Sequence, residues 1–168
     1  MKPPSTMRKI HFLIAFVVVL LDRLSKFAVE RNIPLHDGIQ IIPKFFRLTH
    51  LENRGAAFGL FADSPSEWKV AILVLFSIIA LLVVSVLLWK SSYAMSATGV
   101  GLALILGGAI GNLWDRLAAG HVTDFLLFYV GNYQWPAFNV ADSAIVIGAG
   151  LLVFEILFTK TPAQEKAQ

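Results

Sequence analysis

Residues 70–89 read VAILVLFSIIALLVVSVLLW, twenty positions without a charge, a proline or a glycine. At 1.5 Å per helical residue such a run is about 30 Å long, the thickness of a bilayer's hydrocarbon core. A helix that is apolar on every side has no use on the surface of a soluble domain. The segment therefore reads as a transmembrane helix, and it sets the fold class. Residues 97–114 (ATGVGLALILGGAIGNLW) and 135–158 (WPAFNVADSAIVIGAGLLVFEILF) reach the same length, the second carrying only Asp142 and Glu155. The start, MKPPSTMRKIHFLIAFVVVLLDRLSKFAVE, pairs a basic beginning with an apolar stretch over His11–Leu21, the layout of a secretory signal. No small-x-small cleavage site follows, and the chain runs straight on into DRLSK, which favours a retained helix over a cleaved signal.

The expectation is an all-α membrane protein in one domain. Its transmembrane helices would cover about 11–30, 68–89, 97–116 and 137–158, with a loop over 117–136 and a solvated tail over 159–168. Residues 31–67 are too long and too patterned for a plain linker. FFRLTHLEN is rich in strand formers, and NRGAAFGLF sets glycines among apolar side chains, so a small folded element on the membrane is expected there, with Phe58, Leu60 and Phe61 dipping into lipid.

Composition agrees: 57% of the 168 residues are hydrophobic and 15% are charged. The chain has no cysteine, which removes disulfides, thiolate metal sites and thiol nucleophiles. Its four histidines (His11, His36, His50, His121) show no HExxH spacing, so no metal is expected. The net charge of +3 comes without a basic patch interleaved with aromatics, so nucleic acid is not an expected partner. Basic residues divide evenly between the two sides. The cluster Lys2, Arg8 and Lys9 directly before the first helix then decides the orientation, and it places the termini inside.

Four alternating spans bring the polar residues to one face. Asp22 and Lys26 lie near the far end of the first helix, at i and i+4 with the acid first, the favourable order for a helical ion pair. Asn112, Asp115 and Arg116 end the third. Asn139 and Asp142 open the fourth, and Asp124 sits just before it in HVTDFLLFYV. Ionisable residues in a span cost roughly 2.5–3.5 kcal/mol each on insertion scales, so their gathering at one interface points to a functional site. Asp22–Lys26 and Asp115–Arg116 also admit a plainer reading, mutual neutralisation with the long side chains reaching water. Asp124 and Asp142 have no base within a helical turn. Ala103, Gly107 and Gly111 recur every four residues and predict close helix packing.

Two carboxylates in a poorly solvated site cannot both ionise cheaply, so one keeps a proton and the pair titrates as a unit. Such a pair can hydrolyse a peptide bond without a covalent intermediate: one acid takes a proton from water and the other gives one to the carbonyl oxygen. Which aspartate plays which part is open from sequence.

DRLSK (22–26), NRGAAFG (53–59), GGAIGNLWDR (107–116), HVTDF (121–125) and FNVADS (138–143) together resemble, in order and spacing, the motif series of the bacterial lipoprotein signal peptidases, signal peptidase II. The resemblance spans nearly the whole chain. It implies an aspartyl endopeptidase of the cytoplasmic (inner) membrane, with both termini cytoplasmic and the site towards the periplasmic side. Its substrate would be a diacylglyceryl-modified prolipoprotein, cut before the lipidated cysteine. Asp124 and Asp142 would form the catalytic dyad. Asn53, Gly55, Asn112, Arg116, Asn139 and Ala141 would bind substrate or support the dyad, and Asp22, Lys26 and Asp115 would be architectural. It implies four membrane helices, a small β-rich cradle over 31–67 and a short mobile periplasmic helix. No cofactor is implied; membrane lipids and the peptide antibiotic globomycin are the further ligands, and a monomer is expected. The rivals are a proton-coupled carrier, which would place its acids near the midplane between repeated halves, and a non-catalytic assembly factor that binds a partner helix.

Overall fold

The computed structural model describes residues 5–55, 67–91 and 96–158. Helix α1 (Ser5–Asn32) is followed by strands β1 (Gly38–Ile42) and β2 (Phe46–Asn53), then by helices α2 (Glu67–Ser91) and α3 (Ala97–Ala119). Strands β3 (Val122–Val130) and β4 (Tyr133–Gln134) lead into helix α4 (Val140–Phe158). Three helices among the described residues, α2, α3 and α4, are long and apolar enough to cross a membrane, through Val70–Lys90, Ala97–Ala119 and Val140–Phe158. Helix α1, expected as a fourth span, is longer than any of them at 28 residues. Its uncharged core is short, however, because Asp22, Arg23, Lys26, Glu30 and Arg31 crowd its second half.

Helix α3 is the centre of the assembly and packs against α1, α2 and α4. Its small residues make this possible. Gly107 lies against the backbone and Val18 side chain of α1, and Gly108 lies against the Ala141 carbonyl of α4, with no room for a methyl group at either position. At the far end of α4 from Asp142, Glu155 accepts hydrogen bonds from the Thr98 backbone N–H and from its hydroxyl at 2.9 Å. An acid inside the last span is thus used to cap the start of its neighbour.

The sequence expectation placed strand structure only in 31–67. The structure builds an antiparallel sheet, ordered β1-β2-β3-β4, from both connections, and HVTDFLLFYV supplies its longest strand. Gly120 makes this turn possible: it adopts φ 75° at the end of α3, where its N–H bonds the Arg116 carbonyl, so the helix stops and β3 begins two residues later. Phe125 on β3 packs with Val29 of α1 and with Ile33 just beyond it, and Thr123 donates to Glu30 at 2.7 Å, which fastens the sheet to the end of α1. The loop expected over 117–136 is instead the end of α3 with strands β3 and β4, because β2 offers β3 a pairing partner; Phe58, Leu60, Phe61 and the tail 159–168 lie outside the described residues.

Candidate active site

Asp124 stands on β3 and Asp142 in the first turn of α4, and both line one cavity of about 540 Å³. The register of the sheet sets the first of them. From Phe46 to Leu48, β2 pairs with β3 so that Leu48 faces Leu126; after a bulge, Leu51 faces Asp124 and Asn53 faces Val122. Facing residues of an antiparallel pair project to the same side, and the side alternates along the strand. The bulge therefore shifts Asn53 onto the face that carries Asp124. Without it, Asn53 would project to the opposite face. Asn53 Oδ1 accepts from the Gly55 N–H at 2.9 Å, an Asx turn that leaves its Nδ2 to donate to Asp124 Oδ2, also at 2.9 Å. Gly55 works through its backbone twice, since its carbonyl accepts from Arg116 at 3.3 Å.

Asp142 is placed by helix capping. Asn139 Oδ1 accepts from the Asp142 N–H at 2.9 Å, and Asp142 Oδ2 faces the Asn139 N–H at 3.3 Å, the reciprocal pattern of a capping box. The remaining amide hydrogens of Asn139 make the link between the acids: its Nδ2 donates to Asp124 Oδ1 at 2.7 Å. One side chain thus caps α4, orients Asp142 and holds Asp124. Asn112 Nδ2 donates to Asp142 Oδ1 at 2.7 Å.

Burial pushes the Asp124 carboxyl up from the ordinary 3.8 to about 7, and the negative charge of Asp142 adds to the rise. The N–H groups of Asn53 and Asn139 and the Lys26 ammonium act in the other direction. The folded state therefore keeps a proton that the unfolded chain releases, and Asp124 weakens the fold as pH rises from 3.8 towards about 7. Below that window both states are protonated and the effect vanishes; above it the loss is complete, on the order of 4 kcal/mol at 1.36 kcal/mol per unit. The melting temperature of Asp124→Asn in detergent is expected to gain on that of the parent chain across this window and to run parallel to it at higher pH. Parallel curves throughout would mean that Asp124 ionises as a solvated carboxylate.

Asp22, Lys26 and Asp115 form a second cluster, and here the pairing departs from expectation. Asp115 bonds Lys26 at 2.6 Å and also Arg23, whereas Arg116 donates to the backbone carbonyls of Asn112 and Gly55. Lys26 does not reach water. It and Asp22, paired at 2.8 Å, are both 0% exposed. Arg23 has no signal in the sequence that marks it as a partner of Asp115, because the two meet only when α1 lies on α3. Asp22 also accepts from the Ala141 N–H at 3.0 Å, so a carboxylate from α1 satisfies a free donor in the first turn of α4. Ala141 itself is fully buried against Gly108.

The cavity wall beyond the polar residues is apolar, formed by Trp135 and Phe138 ahead of α4 and by Ile145, Val146 and Ile147 on it. Val146 and Ile147 are themselves 65% and 58% exposed, so the cavity opens on the flank that α4 turns outward. Sequence reasoning did not single these residues out, since within an apolar run nothing separates a cavity wall from a lipid-facing surface.

A family model described as Signal peptidase (SPase) II matches residues 14–158. The chain belongs to the signal peptidase II family. Within it, the chain is 46% identical over 150 residues to a lipoprotein signal peptidase of Solibacter usitatus, covering 89% of this chain and 92% of the relative. A lipoprotein signal peptidase of Desulforapulum autotrophicum is 44% identical over 154 residues, covering 89% and 93%. Among solved structures, a bacterial membrane enzyme determined by the in meso method at 2.3 Å resolution superposes with a TM-score of 0.81 at 30% identity, covering 92% of this chain and 93% of that one. Family membership makes the chain a protease of the aspartyl type, as the motif series implied.

Proposed function

We propose that this signal peptidase II family member removes the signal peptide from diacylglyceryl-modified prolipoproteins at the outer face of the bacterial cytoplasmic membrane, cutting before the lipidated cysteine, with Asp124 and Asp142 as the catalytic pair. The observation that carries the reading is the joining of a buried aspartate from the sheet, Asp124, to a half-buried one from a helix start, Asp142, through the single side chain of Asn139 at one cavity.

Asp124, with its raised pKa, holds the shared proton in the free enzyme. Asp142 accepts a proton from water as the water oxygen attacks the scissile carbonyl, and Asp124 gives its proton to the carbonyl oxygen. Collapse of the tetrahedral diol returns that proton to the dyad and passes the other to the departing amine nitrogen. No bond to the enzyme forms. Arg116, Asn53 and Gly55, at the rim of the same site, hold the substrate backbone or the dyad.

The membrane arrangement belongs to the same proposal. Helix α1 is taken as a fourth span, since Phe12, Phe16, Leu24 and Phe27 are all about half exposed and would face lipid while Asp22 and Lys26 face inward. Both termini are then cytoplasmic and the sheet lies on the periplasmic side, a β-rich cradle over the site. The flank of the cavity lined by Val146 and Ile147 admits a substrate still anchored in the bilayer. Globomycin is expected to occupy the same cavity, and the enzyme to act as a monomer on a lipid-embedded substrate.

The carrier alternative finds no support, because Asp22, Asp115, Asp124 and Asp142 collect at one end of the helices and the relatives are peptidases. Purified protein in liposomes, given a synthetic diacylglyceryl precursor peptide, is expected to yield a fragment that begins with the lipidated cysteine by mass spectrometry, with no substrate-dependent proton flux. An intact precursor, or a cut elsewhere in the peptide, would overturn the proposal.

A further inference from the structure

Among the buried charges next to the dyad, one contact leads out of the cluster. The Lys26 ammonium donates to Asp22 Oδ2 at 2.8 Å, forms an ion pair with Asp115 Oδ2 at 2.6 Å and donates to Asn112 Oδ1 at 3.2 Å. The first two contacts balance charge, with Arg23 on Asp115 completing two acids against two bases. The third does not, because Asn112 is neutral. Its effect is on direction.

A carboxamide has a donor end and an acceptor end, and Asn112 lies between a cation and an anion with only 7% of its surface exposed. In the observed orientation its oxygen accepts from Lys26, with Asn139 Nδ2 also 3.4 Å away, and its nitrogen donates to Asp142 Oδ1 at 2.7 Å. Turned end for end, it would set NH2 against the ammonium and oxygen against the Asp142 carboxylate. Both contacts would be repulsive, in a place where water cannot compensate. The ammonium thus selects which end of Asn112 meets Asp142.

We propose that Lys26 is a positioning residue for hydrolysis: by holding the Asn112 oxygen it aims Asn112 Nδ2 at Asp142 and fixes the orientation of that carboxylate. This rests on the reading of Asp142 as a member of the dyad. Lys26 touches neither substrate nor water in the reaction. It acts through Asn112.

Lys26→Met alone strips two carboxylates of their partner, so the test uses Lys26→Met together with Asp22→Asn. That pair of changes removes one charge of each sign and leaves Asp115 with Arg23. On a lipidated precursor in detergent, kcat is expected to fall about 100-fold with KM within about threefold of the parent, the scale of a misplaced catalytic group. Adding Asn112→Ala on this background is expected to cost little more, although Asn112→Ala in the parent costs about as much as the Lys26 change, since both act on one contact. Near-normal kcat in the double variant, or an Asn112→Ala penalty of equal size in both backgrounds, would overturn the assignment.

A second variant covers the case of a double variant that does not accumulate. Asn112→Asp keeps an acceptor for Lys26 but turns an oxygen towards Asp142, so it is expected to fold with a lowered melting temperature and to lose turnover about 100-fold. Normal turnover in that variant would equally sink the assignment. Asp142→Asn in the same assay separates the two readings: if it retained activity, the dyad itself would be wrong, whatever Lys26 does.

Discussion

Asp124→Asn and Asp142→Asn are each expected to lower kcat for a lipidated precursor by about 10³-fold or more, with both proteins inserting and purifying in normal yield. General acid–base groups contribute roughly 10²–10⁴-fold each, and in the proposed reaction each aspartate acts at two proton transfers. The pair works on one proton inventory, so the double variant is expected to be scarcely worse than either single one. Retaining the amide shape keeps the surroundings: the Asn139 and Asn53 side chains that hold Asp124 still find one acceptor, and the Asn139–Asp142 cap keeps its backbone half. Turnover measured beside circular dichroism and melting temperature separates chemistry from folding. A single variant that cleaved at near-parent rate would remove that residue from the dyad.

The largest effect on stability is expected at Lys26. Replacing it by methionine leaves Asp22 and Asp115 facing each other without a shared cation, Asp22 at 0% exposure and Asp115 at 5%. Removing one partner of a buried ion pair costs about 3–5 kcal/mol, because the remaining charge stays desolvated. Asp22→Asn is expected to cost less. The amide still accepts from the Ala141 N–H, and Lys26 retains Asp115. Denaturant unfolding in mixed micelles, read by tryptophan fluorescence, ranks the two. A Lys26→Met protein as stable as its parent would mean that water or a lipid headgroup reaches this cluster, contrary to its burial.

Much of this site is legible from residue order alone. The apolar runs 70–89, 97–114 and 135–158 determine that the helices lie in a membrane, since no other packing accommodates segments apolar on all sides. Their alternation brings Asn112, Asp115, Asn139 and Asp142 to one end, whatever the details of packing. The spacing of Asn139 and Asp142 is itself a local instruction, because a capping box needs only residues three apart at a helix start.

What only the tertiary structure decided is everything that depends on two distant segments meeting. HVTDFLLFYV became a strand because β2 lay beside it, and a one-residue bulge, invisible as a pattern, chose the face on which Asn53 meets Asp124. Asp115 took Lys26 and Arg23 from another helix in place of its sequence neighbour Arg116. Adjacent helical residues point about 100° apart and do not face each other. The sequence by itself determined which groups would be at the interface, through hydrophobicity and helical period. Their partners were set by contacts across helices and strands, where register and close approach at glycines decide which atoms come within hydrogen-bonding distance.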